Sequence, residues 1–383
     1  MTKPTIPTPP TTPEATPRLS MPFFWPAQAA MELASKELEV LNHNVQFLVE
    51  EEKIHNELQP QLATENTVAL DLRTMFFRDY SVPGASGVPT IVDAPFAGHT
   101  AMIADYHDGQ SLMQTLRANG VNRLFLTDWK SATPDMKDLE IDQYLAEINV
   151  CVDDLGGRVN LVGLCQGGWM ATMYAARFPE KVASLVLAGS PIDADAGHGP
   201  IREMVHKLPL SFYEELVAAG GGLMLGKFML QGWKNMHPEQ HYVQEFIDLY
   251  EHVDDPAYIA KTETFASWYE NPLNLPGRWY LQAIRQIFKE NGLARGEFVA
   301  LGKKLSLSTI TCPAYLLAGE TDDITTKEQV FDADRYLGTP ADKIVKKLVP
   351  GGHIGLFMGS RTLRDTWPGI AHWIARQNQA HTL

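Results

Sequence analysis

The feature that most constrains the fold of this chain is a six-residue run, Gly163-Leu164-Cys165-Gln166-Gly167-Gly168. An apolar β-type segment, Val159–Leu164, leads into the cysteine, and a helical pattern from Gly167 to Phe178 follows it. Small residues on both sides of the cysteine let a strand and a helix approach closely, so the side chain between them must project from a tight turn. The run therefore predicts a nucleophile elbow with Cys165 at the reactive position.

Much of the chain alternates between short apolar β-type segments and amphipathic helical patterns. Such alternation is typical of βαβ units and a mostly parallel sheet. A helix is predicted for Ile141–Leu155, and strands are predicted for Val88–Val92, Leu124–Leu126, Val159–Leu164, Val182–Ala188, Ala314–Ala318 and Ile344–Leu348.

Residues 195–301 interrupt this alternation. They contain helical segments rich in Met, Phe, Tyr and Trp and no clear parallel strand. We interpret them as a helical lid inserted into the sheet fold, with a separate helical bundle as the alternative. We expect residues 66–194 and 302–383 to form the α/β core, residues 21–65 a helical segment, and the Pro/Thr-rich residues 1–20 a disordered tail. The MPFFWP segment at residues 21–26 either anchors this tail or contacts an apolar partner.

A cysteine nucleophile requires a base and an acid that orients the base. Two carboxylates, Asp322 and Asp323, follow the strand Ala314–Ala318, and both are candidates for the acid. His353 lies in a glycine-rich loop after the last predicted strand, where it is the candidate base. The expected chemistry is attack of a thiolate on an ester or thioester carbonyl. The other two cysteines, Cys151 and Cys312, are expected to be structural.

The oxyanion of such a reaction needs two N–H donors. The backbone N–H of Gln166 is the first candidate, and that of Phe96 or Ala97, in the loop after the first predicted strand, is the second. In the same loop, His99 either touches substrate or caps the loop. The other candidate substrate contacts are the tryptophans Trp169, Trp233 and Trp268. No metal or cofactor is expected.

Several motifs resemble a known branch of the α/β-hydrolase fold. APFAGHTAMIADYHDGQSLMQTL, LFLTDW and GLCQGGW resemble intracellular polyhydroxyalkanoate (polyhydroxybutyrate) depolymerases. FPEKV, SPID, ITCPAYLLAGETDD and VPGGHIGLF are similar to class III polyhydroxyalkanoate synthases. The resemblance covers residues from about 66 to 376 and implies an α/β-hydrolase fold with a mostly parallel sheet and a helical lid. It also implies a triad of Cys165, Asp322 and His353, with Asp322 favoured because the acid follows the glycine by three positions.

The two families differ in the direction of the reaction. The GHTA element favours a depolymerase that hydrolyses polyester through an acyl–cysteine intermediate, and this is the function we expect. The alternative is a synthase that transfers 3-hydroxyacyl groups from coenzyme A with the same triad. Here Gln-Gly follows the nucleophile where the depolymerases have Gln-Pro, and Asp323 stands where the synthases have His. A third hypothesis is a non-catalytic protein that binds polyester granules.

Composition and charge narrow the classes of partner and the cellular compartment that we expect for this protein. The net charge of −14 disfavours nucleic acid and anionic membrane surfaces as partners. Three cysteines without paired spacing indicate a reducing compartment. No apolar run reaches the roughly 18–20 residues of a membrane span, and the N-terminus lacks the apolar region of a signal peptide. We expect a cytoplasmic enzyme with a polyester or hydroxyacyl substrate. Two further features stay open: association with the surface of a polyhydroxyalkanoate granule, and formation of a homodimer.

Overall fold

The computed structural model describes residues 37–56, 58–236 and 244–380. The predicted tail and the MPFFWP segment lie outside these residues. The strands are β1 (Thr67–Asp71), β2 (Met75–Asp79), β3 (Thr90–Asp93), β4 (Leu124–Trp129), β5 (Val159–Leu164), β6 (Val182–Ala188), β7 (Leu223–Met224), β8 (Leu275–Pro276), β9 (Val299–Ala300), β10 (Lys303–Lys304), β11 (Ala314–Gly319) and β12 (Ile344–Val349).

The helices follow the same chain order. They are α1 (Glu37–Asn56), α2 (Leu112–Ala118), α3 (Ile141–Asp154), α4 (Gln166–Arg177), α5 (Pro200–Lys207), α6 (Leu210–Ala219), α7 (Gly226–Lys234), α8 (Glu245–His252), α9 (Pro256–Tyr269), α10 (Gly277–Gln282), α11 (Lys327–Phe331), α12 (Gly355–Met358), α13 (Ser360–Asp365) and α14 (Trp367–Ala380), with a π-helical segment at Ala283–Lys289. No described helix is long and apolar enough to cross a membrane.

Eight strands form one sheet in the order β1-β2-β4-β3-β5-β6-β11-β12. Six strands of this sheet, β3, β4, β5, β6, β11 and β12, run parallel to one another. Near one edge, β2 runs antiparallel to both of its neighbours, β1 and β4. Every residue of β3, β5, β6 and β11 is buried. Strands that are buried along their whole length must be covered on both faces, which is why their sequences read as continuous apolar runs. The predicted α/β-hydrolase fold with a mostly parallel sheet is confirmed.

The described chain divides into two compact units. The smaller unit comprises the described residues 37–52 and 244–259, and inside it Phe47 is buried against the ring of Tyr250 while His43 bonds Asp254. The larger unit comprises the described residues 53–236 and 260–380 and contains the whole sheet. Residues 195–301, predicted as one lid, are thus shared between the two units. Within the larger unit they also contribute the short pair β7–β8 and the strand β9, which pairs with β10 just beyond them.

Candidate active site

Cys165 lies in the turn between β5 and α4 with a φ of 51°, in the left-handed region of the backbone. The turn is possible because the residues two positions before and after Cys165, Gly163 and Gly167, lack side chains. A Cβ on Gly163 would lie 2.4 Å from the Cα of Gly168, and one on Gly167 would lie 2.1 Å from the carbonyl oxygen of Asp93. The strand and helix therefore meet backbone to backbone, and the cysteine side chain remains only partly buried.

Asp322 and His353 form a buried pair at the ends of neighbouring strands β11 and β12. The Nδ1 of His353 lies 2.7 Å from Oδ2 of Asp322. The other carboxylate oxygen, Oδ1, accepts the backbone N–H groups of Ile324 at 3.0 Å and Thr325 at 2.8 Å. These contacts fix the carboxylate in one orientation, so of the two sequence candidates Asp322, not Asp323, holds the histidine.

The second ring nitrogen of His353, Nε2, is buried and makes no hydrogen bond to a nitrogen or oxygen atom of the described residues. Burial alone would lower the pKa of His353, but the charges of Cys165 and Asp322 outweigh it and raise the pKa well above its usual value. The structure thus brings Cys165, Asp322 and His353 together at the carboxyl ends of β5, β11 and β12. A strand end of this kind is where ligands bind in parallel sheets.

The other two cysteines lack this environment. Burial raises the pKa of Cys151 far above the usual thiol range, and burial also raises the pKa of Cys312, to about 11. Both side chains are therefore protonated thiols near neutral pH, and a protonated thiol is a poor nucleophile.

Of the three backbone N–H groups predicted as candidate oxyanion donors, one is already occupied by a hydrogen bond. The backbone N–H of Phe96 donates to Oε1 of the Gln166 side chain and is therefore occupied. The backbone N–H groups of Gln166 and Ala97 make no hydrogen bond to any described residue, and both residues line the same cavity as Cys165. Of the two alternatives for the second donor, the geometry favours Ala97.

A cavity with a volume of about 470 Å³ extends from Cys165 into the larger unit. Its walls come from the elbow, the β3 loop, α5, α6, α7, α10 and the π-helical segment, and most of them are apolar. Two of the predicted substrate contacts, Trp169 and Trp233, line this cavity. Its size lies in the range of small-molecule sites, roughly 300–1,000 Å³.

The other two predicted contacts lie elsewhere. Trp268 was predicted to contact substrate, but it does not line the cavity. Its side chain is buried with 3% of its surface exposed, and its indole N–H donates to the carbonyl oxygen of Thr100 at 3.1 Å. His99 packs between the rings of Trp268 and Tyr269, and its Nε2 lies 3.0 Å from the Tyr269 carbonyl oxygen. Burial lowers the pKa of His99 to about 4. The GHTA loop is therefore attached to α9 and does not face the cavity.

Arg202 on α5 also lines the cavity, and the sequence patterns did not predict it as a site residue. No motif marks it, because one arginine in an amphipathic helix looks like any solvated side chain. Its position in the cavity is visible only in the folded chain.

Comparison with known proteins places the chain in a family. The model of the family described as "Protein of unknown function (DUF3141)" matches residues 78–362, more than half of the 383 residues. The chain belongs to this family. The matched region begins in β2 and ends in α13, and it includes all three residues of the candidate triad.

Two of the similar proteins bear the same name. The chain is 28% identical over 287 residues to a "Poly(3-hydroxyalkanoate) polymerase subunit PhaC" of Haloferax mediterranei, covering 73% of this chain and 57% of the relative. A second such subunit, from Allochromatium vinosum, is 26% identical over 344 residues, covering 87% of this chain and 93% of the relative. This chain thus spans little more than half the length of the first relative and nearly all of the second.

A solved structure supports the fold. A carboxylesterase structure from Nitrososphaera gargenis superposes with a TM-score of 0.52 at 14% identity, covering 79% of this chain and 95% of that chain. At this identity the match concerns the fold alone. The resemblance to polyhydroxyalkanoate synthases and α/β-hydrolases is confirmed, and the comparisons favour the synthase alternative over the depolymerase that we expected.

Proposed function

We propose that this protein is an acyltransferase of the polyhydroxyalkanoate polymerase type, which joins 3-hydroxyacyl groups through a thioester on Cys165. The observation that carries the proposal is the meeting of Cys165 and the Asp322–His353 pair at one end of an apolar cavity. The polymerase relatives supply the substrate class. The GHTA element, which favoured a depolymerase, packs against α9 and gives no support for admission of water.

The first half of the reaction loads the cysteine. Nε2 of His353 takes the thiol proton, and the thiolate attacks the carbonyl carbon of a 3-hydroxyacyl thioester. The N–H groups of Gln166 and Ala97 stabilise the oxyanion, a contribution worth about 10²–10³ in rate for each donor. The tetrahedral intermediate then expels the carrier thiolate, which takes the proton back from His353. Asp322 keeps the proton of the imidazole on Nδ1 and stabilises the imidazolium.

The second half transfers the acyl group. A hydroxyl group of another 3-hydroxyacyl unit gives its proton to Nε2 of His353 and attacks the thioester carbonyl. The carbon–sulfur bond breaks, Cys165 recovers its proton, and an ester bond has formed. Water in place of the hydroxyl group would produce hydrolysis, so exclusion of water by the apolar cavity walls favours transfer.

The proposal is tested by offering the purified protein 3-hydroxybutyryl-CoA and, separately, amorphous polyhydroxybutyrate. We expect release of coenzyme A with growth of polymer, and no release of soluble monomer from the polymer. Cys165→Ala should abolish the reaction, whereas the matched control Cys312→Ala should retain it. Monomer release without polymer growth would make the protein a hydrolase, and full activity of Cys165→Ala would refute the assignment of the nucleophile.

A further inference from the structure

The described residues that line the cavity next to Cys165 include no Asp, Glu, Lys or His. Arg202 is the one basic side chain among them. Its neighbours on α5 and the adjacent α6 are apolar: Ile201, Val205, Leu208 and Phe212 line the same wall. A lone guanidinium therefore lies in a largely apolar cavity.

Arg202 has no partner among the residues that the structure describes. Its Nε is buried without a hydrogen bond, and no described residue forms an ion pair or a hydrogen bond with its guanidinium. Two other arginines of this part of the chain are paired, since Arg285 bonds Glu290 and Arg295 contacts Asp195. The buried Nε without a hydrogen bond makes an anion from outside a favourable partner for this guanidinium.

Four other residues that line the cavity also carry polar atoms without partners among the described residues. They are buried, they have no hydrogen bond to the described residues, and all of them can donate: Nε2 of Gln166, Nε1 of Trp169, the hydroxyl group of Tyr213 and Nε1 of Trp279. Buried polar groups are normally satisfied. A cavity with this many free donors and no described acid suits a ligand that brings acceptors, such as ester or thioester carbonyls, together with an anionic group.

We infer that Arg202 is an anion subsite of this cavity and selects acyl substrates that carry a negative charge in addition to the carbonyl attacked by Cys165. The inference rests on the proposed function only for the identity of the acyl group. A guanidinium binds carboxylate and phosphate oxygens in the same bidentate manner. The anion is thus either the carboxylate end of a hydroxyacyl chain or a phosphate of the thiol carrier, and the two sources are separated by the choice of probe.

Binding to the Cys165→Ala variant tests the subsite without any turnover. Calorimetry compares coenzyme A, monomethyl glutarate and the neutral dimethyl glutarate. We expect at least one anionic probe to bind, and Arg202→Ala to weaken that binding by about 10- to 100-fold, since hydrogen bonds to charged groups contribute roughly 1.5–3 kcal/mol. Arg202→Lys should restore part of the affinity. Lys207→Ala removes an exposed charge from the same helix and should change nothing.

Kinetics on paired substrates gives the second readout. One pair is p-nitrophenyl butyrate and its analogue with a terminal carboxylate, p-nitrophenyl hemiglutarate. The other pair is butyryl-CoA and S-butyryl-N-acetylcysteamine, which share the thioester and differ in the phosphates. Arg202→Ala should lower kcat/KM for the charged member of a pair by about 10- to 100-fold and leave the neutral member nearly unchanged. A loss confined to one pair identifies the source of the anion.

Equal losses on charged and neutral substrates would overturn the subsite, because Arg202 would then only support the fold. An absence of any effect of Arg202→Ala on binding and on kinetics would overturn it too. If no substrate turns over but Arg202→Ala still weakens anion binding, the proposed function fails and the subsite stands. If neutral esters turn over and Arg202→Ala has no effect on charged ones, the function stands and the subsite fails.

Discussion

Replacement of Asp322 by Asn separates the two roles of this side chain. In the native protein, Oδ1 accepts two backbone N–H groups, at 3.0 and 2.8 Å, and Oδ2 accepts Nδ1–H of His353 at 2.7 Å. An asparagine has one oxygen, and the two N–H groups require it at the Oδ1 position. Its NH₂ group must then face Nδ1 of His353.

This geometry forces the wrong tautomer on the histidine. With an N–H donor opposite Nδ1, the imidazole proton moves to Nε2, which can no longer take the proton of Cys165. A comparable change in a serine triad lowers kcat by about 10⁴. At about 1.36 kcal/mol for each factor of ten, this loss corresponds to about 5 kcal/mol of transition-state stabilisation.

The assay is kcat for thiol release from 3-hydroxybutyryl-CoA and for hydrolysis of p-nitrophenyl butyrate, with Asp323→Asn as the matched control. We expect a loss of about 10³–10⁴ for Asp322→Asn and less than about tenfold for Asp323→Asn. The unfolding midpoint of Asp322→Asn should stay close to that of the wild type, because both backbone hydrogen bonds survive. Retention of a tenth or more of the activity by Asp322→Asn, or a larger loss in Asp323→Asn, would refute this reasoning.

Three further outcomes follow from the structure. Gln166→Ala leaves the buried N–H of Phe96 without an acceptor, so the free energy of unfolding in urea should fall by about 1–3 kcal/mol. The value of kcat should also fall because the oxyanion loop loosens, and unchanged stability would contradict the hydrogen bond. Gly167→Ala places a Cβ 2.1 Å from a carbonyl oxygen of β3, so it should lower the free energy of unfolding by at least about 2 kcal/mol. The control Gly369→Ala has open space around the new Cβ and should leave the protein equally stable or more stable. The pKa of His99, about 4, lies below the ordinary histidine value of about 6.5, so protonation favours the unfolded chain. The contribution of His99 to stability is complete above about pH 6.5 and falls by up to about 3 kcal/mol towards pH 4. Denaturant titrations at several pH values should show a weaker dependence in His99→Gln, and identical pH profiles would exclude this role of His99.

Local sequence patterns determined most of the sheet and the elbow. The bounds of β5 and β6 match the predicted strands, and β3, β4, β11 and β12 differ from them by at most three residues at either end. Strands buried on both faces are continuous apolar runs, and a tight strand–helix turn requires glycine at fixed spacing around the nucleophile. Both signals lie within a few neighbouring residues, so they can be read without knowledge of the fold. The antiparallel edge strands β1 and β2 were not predicted, because β1 is largely exposed and lacks the apolar run.

The tertiary structure decided which of several chemically equivalent residues meet. Asp322 and Asp323 are adjacent and identical in type, and the contacts of Asp322 with two backbone N–H groups and with His353 distinguish them. Trp233 and Trp268 look alike in a helical, aromatic-rich stretch, yet one lines the cavity and the other is buried against the β3 loop. Arg202 became a candidate site only because its helix turns it towards a cavity without an acid. Composition and spacing specify local geometry, whereas the partner of a side chain depends on residues far away in sequence that packing brings close.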